Sequence, residues 1–102
     1  MIEHYCPNTP LKYLSSYNNS NRQNIGLISL SADLKFDFEV NVHKKLSLNS
    51  SLEDAAHNLF ASIRELDKMG LDVILIEEVP RDGIGRAIMD RLDRATARFR
   101  NN

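Results

Sequence analysis

Residues 50–78, SSLEDAAHNLFASIRELDKMGLDVILIEE, decide the fold of this chain. The first part carries apolar residues three and four positions apart, which predicts an amphipathic helix with one buried face. That face contains Leu52, Ala56, Leu59, Phe60, Ile63 and Leu66. Ser50 and Glu53 have the spacing of a capping box and predict the start of the helix. Lys68 and Gly70 predict its end, because a basic residue suits the last turn and glycine terminates it.

Two more apolar patterns follow this helix. Residues 72–78, DVILIEE, contain a continuous apolar run of strand length, as expected for a strand covered on both faces. Residues 84–99 predict a second amphipathic helix, whose apolar face contains Ile84, Ile88, Leu92, Ala95 and Phe99.

Shorter runs in the first half predict the remaining strands, at 11–14, 25–30 and 39–43. Gly26 in the second of these indicates a close neighbour. Residues 15–24 and 31–38 are polar or irregular and predict connecting loops. A strand, a helix and another strand in succession favour parallel pairing with a right-handed crossover. The predicted fold class is therefore α/β: a small, Rossmann-like, open and mostly parallel sheet with helices packed on it.

Composition narrows the function classes. The 102 residues are 42% hydrophobic and 26% charged with a net charge of −1, which is typical of one globular domain. Direct binding of nucleic acid is not expected, because the chain lacks the excess of basic residues that is typical of such proteins. Cys6 is the only cysteine, which excludes an intrachain disulfide and a cysteine-rich zinc site and favours the cytoplasm. The apolar runs are too short for a membrane span.

The segment PRDGIGRAI, residues 80–88, lies between a predicted strand and a predicted helix. Gly83 and Gly85 could direct backbone N–H groups towards an anion at the start of the helix. The segment lacks the third glycine of a dinucleotide site and the Lys-Ser/Thr of a phosphate loop. The alternative interpretation is a tight turn in which Asp82 caps the helix.

The remaining polar residues give no convincing catalytic set. Glu77 and Glu78 leave a strand where open α/β sheets usually bind ligands, but adjacent strand residues face opposite ways, so solvated charges are the interpretation. Cys6 and His4 lack a third group that would make a nucleophile. The histidines have no metal-ligand spacing; they are His4, His43 and His57, the last expected at the surface. The arginines of the last helix alternate with Asp90 and Asp93, as on a solvated face.

Several motifs together resemble one family. They are LEDAAHNLF at 52–60, VILI at 73–76, PRDGIGRAI at 80–88, DRL at 90–92 and, at the opening, HYCPNTPL at 4–11. This combination is similar to the C-terminal domain of the long form of threonylcarbamoyl-AMP synthase, in the YrdC/YciO/Sua family. The resemblance covers about residues 1–14 and 45–97.

The resemblance implies a domain organisation. Residues 1–10 would be an interdomain linker, residues 11–100 the C-terminal α/β domain, and a catalytic YrdC-type domain would normally precede them. In the family, that domain binds ATP with magnesium, L-threonine and bicarbonate. It produces threonylcarbamoyl-adenylate and pyrophosphate for the threonylcarbamoyladenosine modification of tRNA. Tyr5, and after it His4, would contact the ATP side, and only together with the catalytic domain.

Three functions are therefore open. The first is a non-catalytic regulatory or lid domain of the synthase, with no catalytic residue, metal ligand or cofactor of its own. The second is a free-standing α/β module that binds a nucleotide or small ligand at Gly83, Gly85 and the strand ends. The third is an independent enzyme, against which the lack of a nucleophile–base set argues.

Overall fold

The computed structural model describes residues 7–18, 23–31, 34–47 and 51–100. Its elements are β1 (Leu11–Tyr13), a 3₁₀ turn (Leu14–Ser16), β2 (Ile25–Ser29), β3 (Val42–Lys45), α1 (Leu52–Asp67), β4 (Val73–Ile76) and α2 (Ile84–Arg100). The four strands form one parallel sheet in the order β1-β4-β2-β3. The predicted α/β class, with helices packed on an open parallel sheet, is confirmed. Within the described ranges, no helix is long and apolar enough to cross a membrane.

Strand β4 is the centre of the sheet. It pairs with β1 on one side and β2 on the other, and all four of its residues are buried. Ile74 and Ile76 pack in the cluster that contains the apolar faces of α1 and α2. Val73 and Leu75 face the opposite way, into a second cluster. The prediction of a strand covered on both faces is confirmed.

The second face of the sheet is covered by loops instead of helices. Residues of the connections after β1 and β2 pack on it: Leu14, Tyr17, Leu34, Phe36, Phe38 and Val40. The rings of Phe36 and Phe38 lie 5.5 Å apart between centroids, and those of Tyr17 and Phe38 lie 5.7 Å apart. Aromatic side chains bury enough area to take the place of a helix over this face.

The first helix begins at a residue other than the predicted one. Its N-cap is Ser51, whose hydroxyl accepts the backbone N–H of Asp54 at 3.2 Å. Ser50 lies outside the described residues, so the cap predicted there with Glu53 is replaced by the overlapping pair one position later. The predicted end is confirmed, with Lys68 at the C-cap and Gly70 in the left-handed region at φ 70°.

Strand β3 also differs from its prediction. It begins at Val42 and continues to Lys45, whereas residues 39–43 were predicted. Val40 packs into the second cluster instead, and the side chain of Asn41 accepts the N–H of Ile25 at 2.8 Å. Local alternation could not reveal these two contacts, because the partners come from β2, β4 and the connections that cover them.

Gly26 confirms the close neighbour that the sequence predicted. A Cβ atom there would lie 2.8 Å from Cδ1 of Leu71 and 3.3 Å from Cδ1 of Leu66. The end of α1 therefore rests on the backbone of β2, in space that any side chain would fill.

The cap of α1 can be tested by exchanging the two serines. We expect Ser51→Ala to lower the free energy of unfolding by about 1 kcal/mol, because the N–H of Asp54 loses its acceptor. Urea denaturation measures this, with Ser50→Ala as the matched control and a smaller expected loss. A larger loss in Ser50→Ala would mean that the helix starts where the sequence pattern placed it.

Candidate functional site

The parallel strands give the sheet two different edges. All four strands start at one edge, here called the amino edge, and end at the other, the carboxyl edge. Ligands of open parallel sheets usually bind at the carboxyl edge. This edge contains Leu30 and Ser31 after β2, Glu77 and Glu78 after β4, and the turn with Gly83 and Gly85 that enters α2.

Glu77 is a structural acceptor at the carboxyl edge. Its Oε1 accepts the backbone N–H groups of Leu30 at 2.6 Å and Ser31 at 2.9 Å, and its Oε2 accepts the hydroxyl of Ser31. Its own N–H donates to the carbonyl of Ile28 at 3.0 Å. The prediction that Glu77 is a solvated charge was therefore wrong. The local sequence could not show these hydrogen bonds, because the partners lie 46 and 47 positions away.

Glu78 points elsewhere. Its side chain is exposed and accepts the hydroxyl of Ser15, which follows β1. Glu77 thus binds residues that follow β2, and Glu78 binds a residue that follows β1, on the opposite side of β4. They do not form the close carboxylate pair that acid–base chemistry would use, in agreement with their adjacent positions in the sequence.

The glycine turn is held by its own backbone. Gly83 has φ 57°, and a Cβ atom on Gly85 would lie 2.1 Å from the carbonyl oxygen of Pro80. The N–H of Gly85 donates to the carbonyl of Asp82 at 3.0 Å, and that of Arg86 to the carbonyl of Gly83 at 3.2 Å. The backbone conformation at Gly83 and the lack of space at Gly85 thus explain both glycines without a ligand. An anion bound here would compete with these two hydrogen bonds. The anion site at Gly83 and Gly85 stays a prediction.

Asp93 joins three elements on the helical side of the sheet. It accepts the hydroxyl of Tyr13, at the end of β1, and both terminal nitrogens of Arg81 at 3.0 and 3.2 Å. Burial, this hydrogen bond and the carboxylate charge raise the pKa of Tyr13, so the phenol stays protonated. The solvated-face interpretation was wrong for Asp93, although Asp90 is exposed.

The two described histidines have separate settings. Nε2 of His43 lies 2.9 Å from Oγ of Ser29, and its ring meets that of Phe36 edge-on at 5.7 Å. Burial and the charge of Lys45 lower the pKa of His43. His57 is exposed on α1, as predicted. In the part of the chain that the structure describes, no group of three or more His, Cys, Asp or Glu side chains could hold a metal ion.

At the amino edge, the segment before β1 is bound to the domain. Asp67, the last residue of α1, accepts the N–H of Asn8 at 3.2 Å and that of Thr9 at 2.8 Å. The carbonyl of Pro10 accepts the N–H of Ile74 at 2.8 Å. Residues 7–10, here called the strap, therefore pack on the α/β domain. His4 and Tyr5 lie outside the described residues.

The strap and the glycine turn lie at opposite edges of the sheet. The strap enters at the amino edge, whereas Gly83 and Gly85 lie beyond the carboxyl edge. The paired length of β1 and β4, three residues or about 10 Å, separates the two edges. The sequence analysis did not identify Asp67. One signal was present: an acid in the last turn of a helix lowers the stability of the helix by about 0.3–1 kcal/mol, because it lies next to the negative end of the helix dipole. An acid at such a position indicates a second role.

The role of Glu77 can be separated from that of its neighbour. We expect Glu77→Ala to cost about 2–3 kcal/mol of unfolding free energy, because two backbone N–H groups and one hydroxyl lose a charged acceptor. Glu78→Ala, the matched control, should cost less than about 1 kcal/mol, since its hydrogen bond is exposed. Urea unfolding of both variants measures the difference, and equal losses would contradict the assignment.

Comparison with known proteins identifies the family. A family model described as threonylcarbamoyl-AMP synthase, C-terminal domain, matches residues 1–97. Threonylcarbamoyl-AMP synthase of Pyrococcus abyssi is 45% identical over 49 residues, which are 48% of this chain and 14% of that protein. The synthase of Schizosaccharomyces pombe is 48% identical over 40 residues, which are 39% of this chain and 10% of that protein.

A solved structure agrees. The crystal structure of P. abyssi Sua5 complexed with L-threonine superposes with a TM-score of 0.62 at 25% identity, over 94% of this chain and 30% of that one. The chain therefore spans less than a third of the length of each of these relatives. The resemblance found in the sequence motifs is confirmed: the chain belongs to the family of threonylcarbamoyl-AMP synthase C-terminal domains.

Proposed function

We propose that this chain acts as a non-catalytic regulatory or lid domain of a threonylcarbamoyl-AMP synthase, together with a YrdC-type catalytic domain. The packing of the strap on the α/β domain carries this proposal. The two N–H groups that donate to Asp67 connect the strap, which follows His4 and Tyr5 in the sequence, to the end of α1, and the N–H of Ile74 that donates to Pro10 connects it to the sheet. A movement of the α/β domain would then also move the start of that segment.

The reaction belongs to the catalytic domain. ATP with magnesium, L-threonine and bicarbonate would bind there and give threonylcarbamoyl-adenylate and pyrophosphate, the donor system for threonylcarbamoyladenosine in tRNA. The relative from P. abyssi, crystallised with L-threonine, supports the assignment of that substrate. Neither magnesium nor a catalytic step is assigned to a residue of this chain, and we place the assembled protein in the cytoplasm.

The strap and its continuation give the chain a physical means to act. Pro7 and Pro10 fix two backbone φ angles, so the strap loses less conformational entropy when it packs on the α/β domain and gives the residues before it a defined starting point. Tyr5 offers a ring for stacking and a hydroxyl for hydrogen bonding on the ATP side, and His4 is the second candidate. Closing a pocket in this way excludes water from the reacting groups.

The proposal predicts a kinetic effect of Tyr5. In the full-length synthase that carries this chain, we expect Tyr5→Ala to lower kcat/KM for ATP by about tenfold or more, because a stacking and hydrogen-bonding group is lost. Pyrophosphate release with L-threonine and bicarbonate present measures the rate. Tyr5→Phe serves as the control that keeps the ring. Unchanged kinetics in Tyr5→Ala would contradict the proposal.

A free-standing nucleotide-binding module is the second candidate, and the carboxyl edge argues against it. The carboxylate of Glu77 already occupies the N–H groups of Leu30 and Ser31. The N–H groups of Gly85 and Arg86 are engaged within their turn. An anionic ligand would meet a negative charge at the first place and compete with internal hydrogen bonds at the second.

Calorimetry distinguishes the two candidates. We expect no saturable heat when this chain is titrated with ATP, ADP or AMP up to millimolar concentration, because the N–H groups of Leu30, Ser31, Gly85 and Arg86 at the carboxyl edge already have acceptors within the chain. Saturable binding would favour the free-standing module. A loss of that binding in Gly83→Ala, with Gly70→Ala as the control, would then place the ligand at the glycine turn.

A further inference from the structure

We propose that Asp67 is a positioning residue, which fixes the point where the chain leaves the α/β domain and thereby tunes ATP binding by the catalytic domain. The inference rests on the proposed function, since it assumes that residues before the strap serve that active site. Asp67 would act only through the strap and would touch no substrate.

The two carboxylate oxygens of Asp67 accept hydrogen bonds from two different N–H groups of the strap. Oδ2 accepts the N–H of Asn8 at 3.2 Å and Oδ1 accepts that of Thr9 at 2.8 Å. Hydrogen bonds to a charged acceptor are stronger than neutral ones, and two successive N–H groups on one carboxylate also fix its orientation. An amide side chain in the same orientation would turn its NH2 group, a donor, towards one of these two N–H groups and would lose that contact.

The position of Asp67 supports a role beyond helix formation. It is the last residue of α1, where the carbonyl groups carry a partial negative charge and a basic residue would be favoured. The N–H groups of Asn8 and Thr9 supply the compensating positive ends of dipoles, 59 and 58 positions away in the sequence. Local helix preference gives no other account of an acid at this place.

The strap is attached at each of its residues after Pro7. Thr9 is buried with 8% of its surface exposed, and Pro7 is also buried. The carbonyl of Pro10 pairs with Ile74, and Leu11 then continues in register with Ile74 in the sheet. No free joint therefore lies between Pro7 and β1, and the chain before residue 7 starts from a point that Asp67 fixes.

A purely structural role makes a different prediction. If Asp67 only stabilised the α/β domain, its substitution would lower stability and leave the kinetics of the folded synthase unchanged. A positioning role changes KM for ATP in protein that remains folded. The two hydrogen bonds that Asp67 accepts from Asn8 and Thr9 are here called the clamp. The test therefore needs one measurement of the clamp and one of the active site.

The clamp is read out by amide hydrogen exchange of Asn8 and Thr9 in this chain, measured by NMR. We expect Asp67→Ala to accelerate exchange at both sites by at least tenfold and Asp67→Asn to leave at most one protected. Asp90→Asn, which removes an exposed carboxylate of α2, is the control and should change neither. Unchanged exchange in Asp67→Ala would overturn the clamp.

The active site is read out in the full-length synthase that carries this chain. We expect Asp67→Asn to raise KM for ATP about five- to tenfold while kcat changes less than twofold, and Asp67→Glu to restore part of the loss. Thermal unfolding confirms that each variant is folded. Accelerated amide exchange with an unchanged KM would reduce Asp67 to a structural residue and overturn the inference.

Failure of the proposed function gives a different pattern. If Tyr5→Ala also leaves kcat/KM for ATP unchanged, the segment does not serve the active site, and the proposed function and this inference both fail. If Tyr5→Ala lowers kcat/KM for ATP and Asp67→Asn leaves KM unchanged, only the inference about Asp67 fails.

Discussion

The burial of β4 on both faces is the constraint on which the rest of the structure depends. Four consecutive apolar residues leave no side of this strand for water, so each face needs a cover. The helices cover one face, and the aromatic residues of two connections cover the other. The connections that appear irregular in the sequence are therefore part of the hydrophobic core, at about 25 cal/mol for each Å² of apolar surface removed from water.

The features that could be predicted from the sequence are those that depend on residues close together in the chain. Both helices follow from apolar periodicity, β4 follows from its unbroken apolar run, and the contact at Gly26 follows from a glycine within a strand. The helix cap was predicted one residue too early, at Ser50 instead of Ser51, and the pattern is misleading because both serines precede an acid by three positions.

The hydrogen bonds of three acidic residues were harder to predict for one physical reason. Asp67, Glu77 and Asp93 each accept hydrogen bonds from residues between 12 and 80 positions away. Nothing in the pattern around an acidic residue shows whether a distant N–H group or hydroxyl will reach it. The sequence motifs nevertheless identified the family, as the match over residues 1–97 shows.

The order of the strands makes β1 and β3 the outer strands of the sheet, and among the described residues no further strand pairs with either of them. Both strands carry lysine: Lys12 in β1, and Lys44 and Lys45 in β3. A second sheet that approached either side would have to remove from water the ammonium groups of Lys12 and Lys45 and the ion pair between Lys44 and Glu65. The lysines therefore oppose the strand-to-strand aggregation that a parallel sheet this small would otherwise favour.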